Sequence, residues 1–360
     1  MSIRGSSLAA FWALALVGAT ACEDKKAAQK PAEGSDSGAP RASSHGDKSI
    51  LDAVRAEGSA IAQQGPPESG VFPPGGADRE IKVGDPPKFA MGLKGSGTMV
   101  RLVPPPAKPA KKLEGKVEVS VQTGPRSAMP TVELGLTTEA PEAKAEPGSA
   151  PLANELIVKA MSSKLAADQP GSLPPGADKL IGKAKGSRFK LEVAPNGSGK
   201  VVAVEPAKDL DESLSLIVRA ASDAFDFAFQ PYPTDPIGKD AFWMVTTREQ
   251  YAGLDAVVYR MYKVIEAKPD SVMLEVNVKR LVSQGQLAFP GIPAHHIDEF
   301  NDNVTGRMEV LTSDTSAIHA ELTDTLIAAL APEGAAATQQ AQGQHMAIQM
   351  QIKTRVATGR

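Results

Sequence analysis

From Lys88 onward, apolar side chains recur at every second position, and this constrains the fold more than any other feature of the chain. Val117, Val119 and Val121 alternate with Glu118, Ser120 and Gln122. Successive side chains of a strand point to opposite faces, so such a run buries one face and leaves the other to water. The pattern returns at Val132, Leu134 and Leu136, after the turn-forming Gly124 to Pro130, and again at Phe189, Leu191 and Val193. There Asn196-Gly197-Ser198-Gly199 turns the chain into Val202 and Val204, a hairpin signal. Further strands are expected at Phe242–Thr247 and at 257–264, where Val257, Tyr259 and Met261 share one face and Val258, Tyr262 and Val264 the other. Val272, Leu274, Val276 and Val278 follow, then Met308 and Val310, then Ile318, Ala320 and Leu322. Met346, Ile348, Met350 and Ile352 make the C-terminal segment an integral strand.

One amphipathic helix interrupts the strands. Asp209 and Glu212 have capping-box spacing, and Leu210, Leu214, Ile217, Val218, Ala221, Phe225 and Phe229 lie along one side. Pro231, Pro233 and Pro236 end it, so the expected span is 209–229. Residues 152–167 also favour a helix by composition, with Leu156, Ala160 and Lys164 four apart. The Ala-, Gln- and Gly-rich stretch from Pro332 to Gln344 reads as a long hairpin loop, and the Pro-rich segments 104–109 and 139–151 as loops between strands.

The N-terminus has a different character. Arg4 precedes an apolar run from Leu8 to Val17, which is too short for the roughly 20 residues of a membrane span. Small residues then lead to Cys22, the pattern of a secretory signal over residues 1–21. Ala19-Thr20-Ala21-Cys22 resembles the bacterial lipobox, with Ala19 where leucine is usual. The resemblance implies a diacylglyceryl group and an N-acyl chain on Cys22, hence attachment to a bacterial membrane. The alternative is an ordinary signal cut at Ala21 with a free thiol left behind. Glu23 in place of Asp after the cysteine leans towards the outer membrane over the inner, facing the periplasm or the cell surface. Residues 22–80 hold few large apolar side chains and read as a mostly disordered tether with a reach of about 40 Å. Within it, 49–63 is either a short docking helix or a transient one.

The strands and the helix imply one domain over 81–360, α+β in class. Its sheet is expected to be mainly antiparallel and strongly curved, a half-barrel wrapped around or covered by the long helix. That arrangement resembles the Lol-type lipoprotein carriers and receptors and related mycobacterial lipid-binding lipoproteins. Tyr232-Pro233-Thr234-Asp235-Pro236-Ile237-Gly238-Lys239-Asp240-Ala241-Phe242-Trp243, between the helix and paired long strands, resembles a group of bacterial envelope lipoproteins. The resemblance covers roughly 85–357 by element order and one turn, and it transfers no functional residue.

Chemical motifs are sparse. A net charge of −3 gives no case for nucleic acid. His295-His296-Ile297-Asp298-Glu299 with Asp302 lacks HExxH spacing and reads as a polar connector; the rival reading is a polar cleft where His295, Asp298 and Asp302 converge. His319 alternates with Ala320 and should face solvent. Gly197-Ser198-Gly199-Lys200 fails as a phosphate loop, with Ala194 at the first glycine position and Val201 at the Ser/Thr position. No GxSxG elbow occurs. No catalytic, metal or cofactor-binding residue is therefore assigned, and an enzyme or metal-binding protein ranks third. The first expectation is a non-catalytic envelope protein that binds a lipid or other apolar ligand, with Phe225, Phe229 and Trp243 lining the cavity. The second is a structural or protein-interaction lipoprotein whose interior is filled, partnered by another envelope protein.

Overall fold

The computed structural model describes residues 69–358, apart from 104–111, 124–126, 129, 140–153, 167–175, 194–196, 228, 252–253, 288–294, 316–317 and 333–345. Every statement below concerns the described residues. Three strands lie near the start: β1 (Gly70–Phe72), β2 (Lys88–Leu93) and β3 (Ser96–Val100). The next group is β4 (Leu113–Thr123), β5 (Ser127–Ala128), β6 (Val132–Glu139), β7 (Asn154–Leu165), β8 (Arg188–Val193) and β9 (Gly199–Glu205). After the main helix come β10 (Ile237–Lys239), β11 (Phe242–Tyr251), β12 (Leu254–Ala267) and β13 (Ser271–Ser283). The last four are β14 (Gln286–Leu287), β15 (His295–Leu311), β16 (Ile318–Pro332) and β17 (Met346–Thr358). The helices are α1 (Gly76–Glu80), α2 (Ala177–Gly182) and α3 (Glu212–Asp226).

Twelve strands form one hydrogen-bonded succession, β2-β11-β12-β13-β15-β16-β17-β4-β6-β7-β8-β9, with β1, β5 and β14 attached at its flanks. All these pairings are antiparallel except β1 with β13. β3 and β10 make a separate pair. The strand nearest the C-terminus lies mid-sheet, where β17 joins the later half of the chain through β16 to the earlier half through β4.

This architecture corrects the expected fold class. The protein is mainly β, only α3 reaches seven residues, and the sheet is not strongly curled. A half-barrel was expected because a wide apolar face needs cover. The chain supplies that cover differently: α3 lies over β4, β17 and β9, and the irregular segment after it carries Phe227 to the opposite half, against Arg260 of β12 and Arg280 of β13. With both halves covered by chain, the sheet has no need to close on itself.

Several elements differ from expectation for local reasons. α3 starts at Glu212 because Asp209 has φ 61°, incompatible with a helical N-cap; the Asp211 carbonyl instead accepts the Ser215 N–H at 2.9 Å. The helix ends at Asp226, so Phe229 follows it and does not belong to it. Residues 154–165 are strand: Leu156, Val158 and Ala160 are buried on one face between β6 and β8, and partner strands outweigh helix propensity. Residues 295–302 belong to the long strand β15 and are not a connector. Gly70–Phe72 and Gly76–Glu80, within the stretch read as tether, pack on the sheet, with Ala77 and Ile81 against Val257, Tyr259 and Leu281. The possible helix at 49–63, the segment 104–109, and most of 139–151 and 332–344 lie outside the described residues.

α3 meets the sheet closely at Gly115 of β4. A Cβ there would come within 2.8 Å of Phe225 Cε2, and Phe225 is 0% exposed. Gly115→Ala should therefore destabilise the protein by about 1–3 kcal/mol through overpacking, read as a lower urea midpoint with an unchanged slope. An unchanged midpoint would mean that the ring is free to move.

Candidate functional site

The apolar face of the sheet carries charge at its centre. Register places Arg280 of β13 in the inward series Val276, Val278, Arg280, Val282, and Arg260 of β12 between Val258 and Tyr262. Asp302 stands between Phe300 and Val304 on β15, and Asp324 between Leu322 and Leu326 on β16. From β11, Thr247 and Glu249 share this face with Val245 and Tyr251. Arg260, Arg280, Asp302 and Asp324 are each at most 4% exposed.

Two groups form. Arg280 Nη1 donates to Asp302 Oδ2 and to Asp324 Oδ2, the latter at 3.1 Å. Its guanidinium lies 4.2 Å from the Tyr251 ring centroid and 5.0 Å from that of Phe227. Arg260 donates to Thr247 Oγ1 at 2.5 Å and to Glu249 Oε2 at 3.0 Å, and stands 5.6 Å from the Phe227 ring centroid. Phe227 thus seats between two guanidiniums, and cation–π attraction fixes the chain just beyond α3.

Burial sets the protonation. Loss of water pushes the Asp302 carboxyl well above the usual carboxylate range; Arg280 opposes the shift and the charge of Asp324 adds to it. Burial also pushes Glu249 up, but Arg260 and the Thr247 hydroxyl outweigh it and hold Glu249 below its ordinary value. Asp223 on α3 is pushed up to about 7 by burial, against the pull of Arg280 and with the repulsion of Glu249. Asp302 Oδ1 and Asp324 Oδ1 are buried without a hydrogen-bond partner.

This arrangement can tie five strands, β11, β12, β13, β15 and β16, and the chain just beyond α3 together. It offers no nucleophile beside a base, and the described residues contain no set of three or more His, Cys, Asp or Glu fit to hold a metal ion. Phe225, Phe229 and Trp243, the expected cavity lining, are 0%, 4% and 0% exposed. The ring centroids of Phe225 and Phe229 lie 6.2 Å apart, and Phe225 meets Phe189 edge-on at 5.8 Å. Trp243 is directly opposite Tyr262 on β12 and stacks on it at 5.2 Å. All three are packed core side chains. Asp298 is exposed while Asp302 is buried, so the two do not converge; His296 Nε2 lies 3.0 Å from Gln284 Nε2, and His319 is exposed. Cys22 lies outside the described residues.

No protein-family model and no curated protein matches this chain. No helix among the described residues is long and apolar enough to cross a membrane.

Removing Arg280 would strand two buried carboxyls. Arg280→Leu should cost roughly 3–5 kcal/mol, whereas Arg280→Leu with Asp302→Leu and Asp324→Leu should recover most of that loss in urea titrations. Asp223 gives a pH signature. Its folded pKa of about 7 exceeds the ordinary 3.8, so the unfolded chain releases this proton first. Stability from this group is full below about pH 4, falls as pH rises to about 7, and is level above that. Asp223→Asn should remove that part of the slope and gain relative to wild type above pH 7; parallel pH–stability curves would refute the assignment.

Proposed function

We propose that this is an exported, lipid-anchored envelope protein whose sheet serves as a non-catalytic interaction platform, held at the outer membrane by lipid on Cys22. Of the two leading readings, the structural or interaction protein is favoured over the carrier of an apolar ligand. The observation that carries this choice is the filled interior at Phe225, Phe229 and Trp243, where a ligand channel was expected. The polar face over β4, β16 and β17 and the outer edge of β9 remain for partners. Ion pairs such as Lys116 with Glu118 and Glu133, and Arg355 with Glu321, stud that face. The pair of Arg355 with Glu321, exposed at both ends, contributes little to stability.

Mass spectrometry of the natively expressed protein tests the reading. The expected result is acyl mass covalently on Cys22, lost with Cys22→Ser together with membrane fractionation, and no stoichiometric non-covalent lipid. Retention at the membrane after Cys22→Ser would remove the anchor, and co-purifying lipid at one per chain would restore the carrier.

A further inference from the structure

The sheet ends at β9, and the outer edge of that strand is built to stop and to pair. Gly199 donates its N–H to the Phe229 carbonyl at 3.0 Å, which occupies the first position of the edge. From Lys200 to Glu205 the described residues supply no further backbone partner on that side. Pro206, which follows, has no N–H to give.

The register of β9 against β8 slips at Val202. Lys200 opposes Glu192 and Val201 opposes Leu191, whereas Ala203 opposes Lys190, Val204 opposes Phe189 and Glu205 opposes Arg188. The extra residue shifts the parity of the strand, as a bulge does. Val201 and Val204 therefore share the apolar face, with Leu191 and Phe189, and Lys200 and Glu205 share the polar face. In an unbroken strand, residues five apart would point to opposite sides.

We propose that β9 pairs antiparallel with β9 of a second copy of this chain, about a two-fold axis normal to the sheet. Lys200 of each copy lies opposite Glu205 of the other. The same register sets Val201 opposite Val204 and Val202 opposite Ala203. It pairs like faces throughout because of the bulge, and it places Gly199, already bonded, opposite Pro206. Shifting by one residue in either direction puts apolar-face residues against polar-face ones and separates the opposite charges. Lys200 and Glu205 are both exposed and have no ion pair among the described residues; Val202 is 40% exposed, and Val201 and Val204 are half-buried. A C2 contact of this kind is self-complementary and removes an open edge from each copy.

Sedimentation of the lipid-free Cys22→Ser chain tests the pairing. Wild-type residues at the edge should give a dimer. Lys200→Glu sets glutamate against glutamate and Glu205→Lys sets lysine against lysine, so each alone should weaken the dimer roughly tenfold or more. Mixing the two single variants should restore a dimer, as should combining both substitutions in one chain. Hydrogen exchange of the unsubstituted chain gives a second readout that does not depend on how a variant folds: amides of 200–205 should gain protection as concentration rises. A monomer at all concentrations, a dimer insensitive to the single reversals, or variants that stay monomeric on mixing would overturn the proposal.

Discussion

The structure depends on covering one apolar face that is wider than any single element can reach. Twelve strands at roughly 4.8 Å spacing make a sheet about 50 Å across. A helix of 15 residues extends about 22 Å. α3 therefore covers β4, β17 and β9 and leaves the half around β11 to β16 to other chain. Chain beyond α3 fills that role: Phe227 lies against Arg260 and Arg280, β10 packs beside β12, and the Ala241 carbonyl accepts the Val264 N–H at 2.9 Å. Its anchor is Phe227 between Arg260 and Arg280, so the cover of the second half is fixed by cation–π contacts within the charge cluster.

The cluster is expensive by itself. Two guanidiniums are removed from water, and their neighbours include carboxyls with oxygens that have no partner. Apolar side chains at these positions would bury more comfortably. What the charges add is direction: Arg280 reaches Asp302 on the adjacent strand and Asp324 one strand further. A slip of β15 or β16 by one residue would turn its aspartate to the opposite face and strand the arginine. On a sheet whose strands otherwise repeat Val and Leu on one face, this is a specific lock on register.

Most of the sheet was legible from sequence because one face is apolar and the other polar, so period two survives in β4, β6, β8, β13 and β17. β7 was misread because Leu156, Ala160 and Lys164 fall four apart, although Leu156, Val158 and Ala160 also alternate; only the neighbours β6 and β8 decide between the two periods. β15 was misread at its start because Asp302 breaks the apolar series where a strand would be recognised. The charge cluster escaped notice for the same reason, yet its signal was present: Arg260, Arg280, Asp302 and Asp324 each occupy an inward position flanked two residues away on both sides by large apolar or aromatic residues. A charge in such a slot needs a partner, and four such slots predict one another. The path of residues 227–241 and the absence of strong curl had no local signature, since both depend on which face of the sheet the chain after α3 returns to.

The protein's own side chains fill the interior around Phe225, Phe229 and Trp243. Trp12 and Trp243 are the two tryptophans of the chain, so in a variant lacking residues 1–21 the fluorescence reports Trp243 alone, stacked on Tyr262 and fully buried. The direct measurement is quenching of that emission by brominated fatty acids added to the folded protein. A filled interior predicts blue-shifted emission that brominated acyl chains leave unchanged, and saturable quenching by them would contradict the account.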